Sequence, residues 1–231
     1  MEKGFGPVEI LAEADFILAS ASLRRQQLLS DMGARFLVRP ANINETPERE
    51  ECPKEYVLRM ARGKAETVYR SSVLRGQHHL PVLGVDTAVV APHQTLSSGF
   101  MKEQIFGKPE SENHAVAMLK TLSGKTHRVL SAITLVGESK HNKGEFTEEF
   151  WSESRLVETE VTFRALSDIE CRAYWRSGEP PGKAGGYAIQ GLGGLFVTRI
   201  AGSYSSVVGL PLEETYTLLQ TFNIPCGLSG L

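Results

Sequence analysis

The stretch that decides the fold is residues 16–33, FILASASLRRQQLLSDMG. Its first four residues form an apolar run of strand length. Ser20-Ala21-Ser22 follow, small and hydroxylated, a composition that caps helices. Arg25, Leu28, Leu29 and Met32 then recur at helical spacing, and Gly33 stops the helix. The unit reads as strand, tight turn, helix. A helix that starts on a small-residue turn presents free backbone N–H groups, a natural anion site. Arg24 and Arg25 stand in its first turn, where the helix dipole disfavours cations. An arriving polyphosphate would reverse that cost, and guanidinium binds phosphate in bidentate fashion. The plain alternative is a solvated basic pair.

The same alternation of elements continues outward. Residues 53–73 read as a helix with Tyr56, Val57, Met60, Ala61 and Val68 on its apolar stripe. Residues 81–90 read as a strand interrupted by Asp86-Thr87. A polar loop is expected from there to about Pro109, with 91–110 the best place for a junction between lobes. Residues 111–122 are helical in pattern and 129–136 strand-like. The polar run 137–150 suits a surface insertion or hairpin loop. Residues 157–163 alternate as a half-buried strand does. Ser167 opens a helix that ends near Arg176. Residues 178–194, dense in Gly and Pro, are irregular. Residues 195–200 close the strands, and 212–221 form the last helix. Strands and helices mix along the whole length, so the expected fold is α/β.

Composition narrows the function classes. The chain has 231 residues, 41% hydrophobic and 23% charged, enough for a sizeable core in one domain of two lobes. Its 25 Lys and Arg against 27 Asp and Glu give a net charge of −2, so no nucleic-acid partner is implied. Any anionic ligand must be met by local clustering of cations. Cys52, Cys171 and Cys226 are far apart and odd in number, which argues against a zinc site or a disulfide framework. Reduced thiols fit a cytoplasmic setting. The first residues lack the apolar core of a secretory signal, and no apolar run is long enough for a membrane span.

Asp86 is the sharpest single candidate. It stands in Val82-Leu83-Gly84-Val85-Asp86-Thr87-Ala88-Val89-Val90. A carboxylate among such neighbours must be paired, metal-bound or protonated. A second option ends the strand at Val85, which places Asp86 at the carboxyl edge where open α/β sheets bind ligands. Lys64 lies four residues from both Met60 and Val68, on the stripe that should be buried. Its plain alternative is a stem snorkelling over the core edge. Glu45 and Lys108 sit in polar stretches and by themselves read as surface. Within 178–194 the glycines permit close backbone approach to a ligand, and the Gln190 amide both donates and accepts. Gly124-Lys125-Thr126 looks like the end of a phosphate-binding loop, but the required upstream glycine position is Leu119, inside a helix. His78-His79 read as solvated.

These residues also carry a resemblance. Residues 17–25 with Leu28-Leu29 resemble the opening signature of the Maf family of nucleotide pyrophosphatases. Asn44-Glu45-Thr46, Tyr56-Val57-Leu58-Arg59 through Lys64-Ala65, Gly84-Val85-Asp86-Thr87, Gly107-Lys108-Pro109, residues 122–127 and Gly209-Leu210-Pro211-Leu212 follow in the family's order. Asn44 stands where the family has Asp. The resemblance implies an elongated mixed sheet with flanking helices and two lobes around a central nucleotide-binding cleft. It sets residues 16–225 as one domain, with 1–15 an N-terminal extension, 137–150 an insertion and 226–231 a tail.

It also implies cleavage of a nucleoside triphosphate to the monophosphate and pyrophosphate, with Mg²⁺ or Mn²⁺. Asp86 would be the proton acceptor that activates water, with Glu45 and Lys64 in the catalytic set and Glu45 and Asp86 toward the metal. Ser20, Arg24, Arg25 and Lys108 would hold the triphosphate, with Thr87 and Gln190 against the base. Arg24-Arg25, Asp86-Thr87 and Ile189-Gln190-Gly191 resemble the dTTP/UTP branch. The 7-methyl-GTP branch has Trp before the arginine pair, Asp-Gln, and Ser-Glu-Gly. Three alternatives stay open: a nucleotide-sensing regulator of cell division without turnover, a pyrophosphatase for another modified nucleotide, and a purely structural domain. A homodimer is equally open.

Overall fold

The computed structural model describes residues 14–74, 80–94, 101–138 and 150–227. Most of the expected N-terminal extension, His78-His79, residues 139–149 of the polar insertion and the last four residues lie outside the described residues.

Strand β1 (Phe16–Leu18) leads through the small-residue turn into helix α1 (Leu23–Asp31), as the opening stretch predicts. Strand β2 (Phe36–Val38) follows. It is too short and too exposed for any periodicity to announce it. Helix α2 (Pro53–Leu74) crosses to strand β3 (Val82–Gln94), so β2, β1 and β3 run parallel. Strand β4 (Met101–Phe106), helix α3 (Glu112–Leu122), strand β5 (Thr126–Glu138) and strand β6 (Phe150–Phe163) come next. Helix α4 (Asp168–Arg176), two 3₁₀ turns, strand β7 (Val197–Ala201) and helices α5 (Tyr204–Val208) and α6 (Leu212–Thr221) complete the order. One mixed sheet results, β2-β1-β3-β5-β6-β7, with β4 also on β3.

Three expectations are corrected. Strand β3 is not interrupted at Asp86-Thr87 but continues to Gln94. The expected polar loop after it contains β4, whose sequence MKEQIF has no clean alternation; pairing with β3 makes it a strand. Strand β6 starts at Phe150, well before 157. Its first half is only half-buried and pairs with β5 from Glu138 onward, so no apolar pattern marks it. Helix α4 starts after Ser167 and ends at Arg176, as expected, and Ser167 and Glu170 form a capping box.

Helix α2 covers one face of the sheet, with Val57, Ala61, Ala65 and Val68 against Val82, Leu130, Ala132 and Val136. On the other face Leu29 of α1 and Leu218 and Leu219 of α6 meet Leu18, Leu83, Val85 and Ile133. Farther along the same strands, Val89 and Val129 enter a second core with Leu119, Phe163, Tyr174 and Phe196. Strands β3 and β5 thus run through both cores. Gly84 sets the distance of α2 from the sheet: a Cβ there would lie 2.1 Å from the carbonyl oxygen of Ala61. This close approach carries Lys64 down onto the strand.

His127 is buried in the second core, its Nε2 2.8 Å from the Tyr187 hydroxyl, and it meets Phe163 edge-on at 4.8 Å. Burial pushes the ring down to about 4, so it is neutral in the folded chain. An unfolded His protonates near 6.5, so the stabilisation is complete above that pH and is lost as pH falls toward 4. The expected loss is about 3 kcal/mol across that window. Urea unfolding at pH 7 and pH 4.5, with His127→Gln as comparator, measures it; a wild-type loss no larger than the variant's contradicts the assignment.

Candidate active site

The site arises from a gap in the sheet. One edge of β3 pairs with β5 continuously from Val82 to Val90. On its other edge β1 pairs with Val82 and Leu83, and β4 takes over only at Val89. Residues 84–88 have no strand neighbour there. A cavity of about 910 Å³ opens at this gap, of the size that holds a nucleotide-sized ligand. Ser20, Arg24, Arg25, Glu45, Lys64, Asp86, Thr87, Lys108 and Gln190 all line it, so the nine candidate site residues converge.

Side chains alternate across β3, so Asp86 points to the α2 face with Gly84, and Thr87 points to the opposite one. On the α2 face, Lys64 Nζ donates to Asp86 Oδ1 and contacts Glu45 Oε1, each at 2.7 Å. The ammonium is buried and paired, not snorkelling. Lys108 reaches the other Glu45 oxygen at 3.6 Å. Burial raises the Asp86 carboxyl above its ordinary range, against the pull of Lys64 and Arg25. Burial also pushes Glu45 upward, but Lys64 and Lys108 outweigh it and leave that carboxyl low. The two acids therefore differ in proton affinity. Tyr56, to which the sequence assigns no site role, donates to the Glu45 carbonyl at 3.0 Å and holds the loop. Burial and the two carboxylates raise its hydroxyl to about 12.

On the opposite face Arg25 binds the scaffold. Its Nε donates to the Gly209 carbonyl at 2.9 Å, and Nη1 donates to Ser20 Oγ and to the Val85 carbonyl, each at 3.0 Å. Nη2 donates to Thr87 Oγ1 at 3.2 Å. Four of its five N–H donors are thereby engaged within the protein. The Val85 carbonyl belongs to the unpaired edge of β3, so Arg25 does there what a missing strand would do.

Arg24 differs. Its Nε is buried with no hydrogen-bond partner among the described residues. Helix α1 has no side-chain cap at Ser22. Burial works against the charge of Arg24, and Tyr174 and Glu179 offset it only from a distance. Glu179, which the sequence reading passed over, is occupied elsewhere. It accepts from the Tyr174 hydroxyl at 2.6 Å and from the backbone N–H groups of Leu192 and Gly193 at 2.9 and 3.0 Å. Tyr174 in turn accepts from Ala188 N at 3.0 Å. This clamp shapes the turn that carries Gln190, and a Cβ on Gly191 would lie 2.1 Å from the Glu179 carboxylate. Lys183 also lines the cavity. A carboxylate beside a Gly-rich turn was the signal available for Glu179.

Among the described residues no three His, Cys, Asp or Glu side chains form a metal cage. Lys64 binds one oxygen of each carboxylate, and Mg²⁺ is commonly held by one or two carboxylates with phosphate oxygens completing its shell. The donor set therefore fits a divalent ion that arrives with a phosphorylated ligand. Asn44 uses its Oδ1 to accept from Thr46 N at 2.9 Å, a turn role that Asp and Asn fill equally. No helix among the described residues is long and apolar enough to cross a membrane.

A family model described as Maf-like protein matches residues 15–222. A dTTP/UTP pyrophosphatase of Pseudoalteromonas translucida is 47% identical over 205 residues, covering 89% of this chain and 95% of that protein. A dTTP/UTP pyrophosphatase of Escherichia coli O157:H7 is 44% identical over 206 residues, 89% of this chain and 92% of the relative. One of Saccharophagus degradans is 42% identical over 212 residues, 92% and 90% respectively.

Proposed function

The chain belongs to the Maf-like protein family, and we propose that it is a pyrophosphatase that hydrolyses dTTP and UTP to the monophosphate and pyrophosphate. The observation that carries this reading is the Lys64-bridged pair Asp86 and Glu45 at the open edge of β3, facing a cation-lined cavity. Relatives named for that activity match nearly the whole chain.

Asp86 accepts the proton of a water, and the water oxygen attacks the α-phosphorus. The bond from that phosphorus to the α–β bridging oxygen breaks, and pyrophosphate leaves. A carboxylate whose proton affinity is raised by burial is a better base than an exposed one. Lys64 orients it. Glu45, held ionised, and Asp86 would hold Mg²⁺ or Mn²⁺ together with phosphate oxygens; the ion supplies charge neutralisation on the phosphates. Arg24, Lys108 and the first turn of α1 hold the triphosphate, with Ser20 beside them. Arg25 shapes the site and leaves little of itself for phosphate. Thr87 and Gln190 meet the base.

The test is a panel of nucleoside triphosphates with pyrophosphate as readout. The kcat/KM for dTTP and UTP is expected to exceed that for CTP, ATP and GTP by at least ~10-fold. Nucleotide binding with no pyrophosphate released would favour a sensing regulator. A higher kcat/KM for a modified purine triphosphate would move the substrate outside the pyrimidines.

A further inference from the structure

Beneath the cleft lies Ser131, a fully buried hydroxyl on β5. Its partners fix the direction of a short hydrogen-bond relay. The Ser206 carbonyl, in the last turn of the five-residue helix α5, lacks the helix partner it would have farther from the end: the N–H of Leu210 goes to the Ser205 carbonyl instead. A carbonyl only accepts, so Ser131 donates its single proton to it, at 2.8 Å. Ser131 Oγ also lies 2.9 Å from Thr87 Oγ1. With the Ser131 proton committed, Thr87 must be the donor in that contact. Arg25 Nη2, which has no acceptor capacity, donates to Thr87 from the other side at 3.2 Å. Thr87 has then spent its only proton and offers the cavity an oxygen lone pair and nothing else.

We infer that Ser131 is a specificity-determining residue: by fixing the Thr87 hydroxyl as an acceptor, it selects pyrimidines that present an N–H there. Uracil and thymine carry a proton on N3. Cytosine carries a lone pair on N3 and would face the Thr87 oxygen acceptor to acceptor. A free hydroxyl would rotate to suit either base; a hydroxyl locked by Ser131 and Arg25 does not. A site built around one hydrogen-bonding state rejects the analogue with the opposite state strongly, because buried polar groups are left unmatched. This inference rests on the proposed placement of the base against Thr87.

The experiment compares wild type, Ser131→Ala, Ser131→Cys and Thr87→Val by pyrophosphate release from UTP, dTTP and CTP, with a thermal melt of each. Ser131→Ala frees the Thr87 proton to donate to N3 of cytosine, so the CTP to UTP ratio of kcat/KM is expected to rise by at least ~10-fold. Ser131→Cys, with a sulfur that is a weak acceptor, should raise the ratio by less. An unchanged ratio in a folded Ser131→Ala variant, with Thr87→Val altering it, overturns the relay alone. An unchanged ratio in Thr87→Val overturns the placement of the base and the inference with it. Loss of UTP turnover in Ser131→Ala without any gain on CTP assigns Ser131 to packing and also overturns it. Absence of turnover in wild type would count against the proposed function instead.

Discussion

Replacing Asp86 by Asn is expected to lower kcat for dTTP by at least ~10²-fold, the low end for removal of a general base. The amide keeps the shape of the carboxylate and still accepts from Lys64, so the pocket changes little. It cannot take a proton from water. The melting temperature should equal or exceed that of wild type, because the buried charge of Asp86 is itself a cost. Unchanged dTTP hydrolysis would remove Asp86 from the chemistry. The pH profile adds a second check. The proposed role as base requires Asp86 to be ionised, and burial raises its pKa, so the acid limb of kcat/KM is expected above the ~3.9 of an ordinary aspartate. Lys64 opposes that rise. Lys64→Met should therefore move the acid limb further up, and a limb that stays or falls would contradict the pairing.

Asp86 was legible because a carboxylate inside an apolar strand has few ways to be stable. Lys64 was legible for a similar reason, through its helical spacing from buried neighbours. The strand-turn-helix at 16–33 was legible because it is local. What was hidden is what depends on pairing. The gap on β3 exists because β1 is short and β4 starts late, and neither property is written in the residues 84–88 themselves. Glu45 and Lys108 looked like surface because a loop's apposition to a distant lysine leaves no periodic trace. The Glu179 and Tyr174 clamp needs the fold of 188–194 to bring its backbone donors together. Ser131 is the nearest miss. A hydroxyl between Leu130 and Ala132 in a buried strand is the weaker form of the signal that revealed Asp86.

The paired arginines show how far neighbours in sequence diverge once folded. The family resemblance assigns both to phosphate, yet Arg25 donates into the scaffold and Arg24 keeps a buried nitrogen without a partner among the described residues. Arg25→Met should therefore act on stability. It strands the Val85 and Gly209 carbonyls at a half-buried edge and loosens Thr87, for an expected loss of roughly 2–3 kcal/mol, the lower part of what two unmet acceptors cost. Arg24→Met should act on binding. It removes a desolvated charge with no ion pair among the described residues, so stability should not fall below that of wild type. The KM for dTTP should rise at least ~10-fold, or about 1.4 kcal/mol of lost binding. Inhibition by pyrophosphate should weaken in parallel, as the proposed contact of that guanidinium with phosphate requires. Urea unfolding and steady-state kinetics on the two variants separate the roles. Equal destabilisation by both, or a pyrophosphate inhibition constant that Arg24→Met leaves unchanged, would return the pair to a single function.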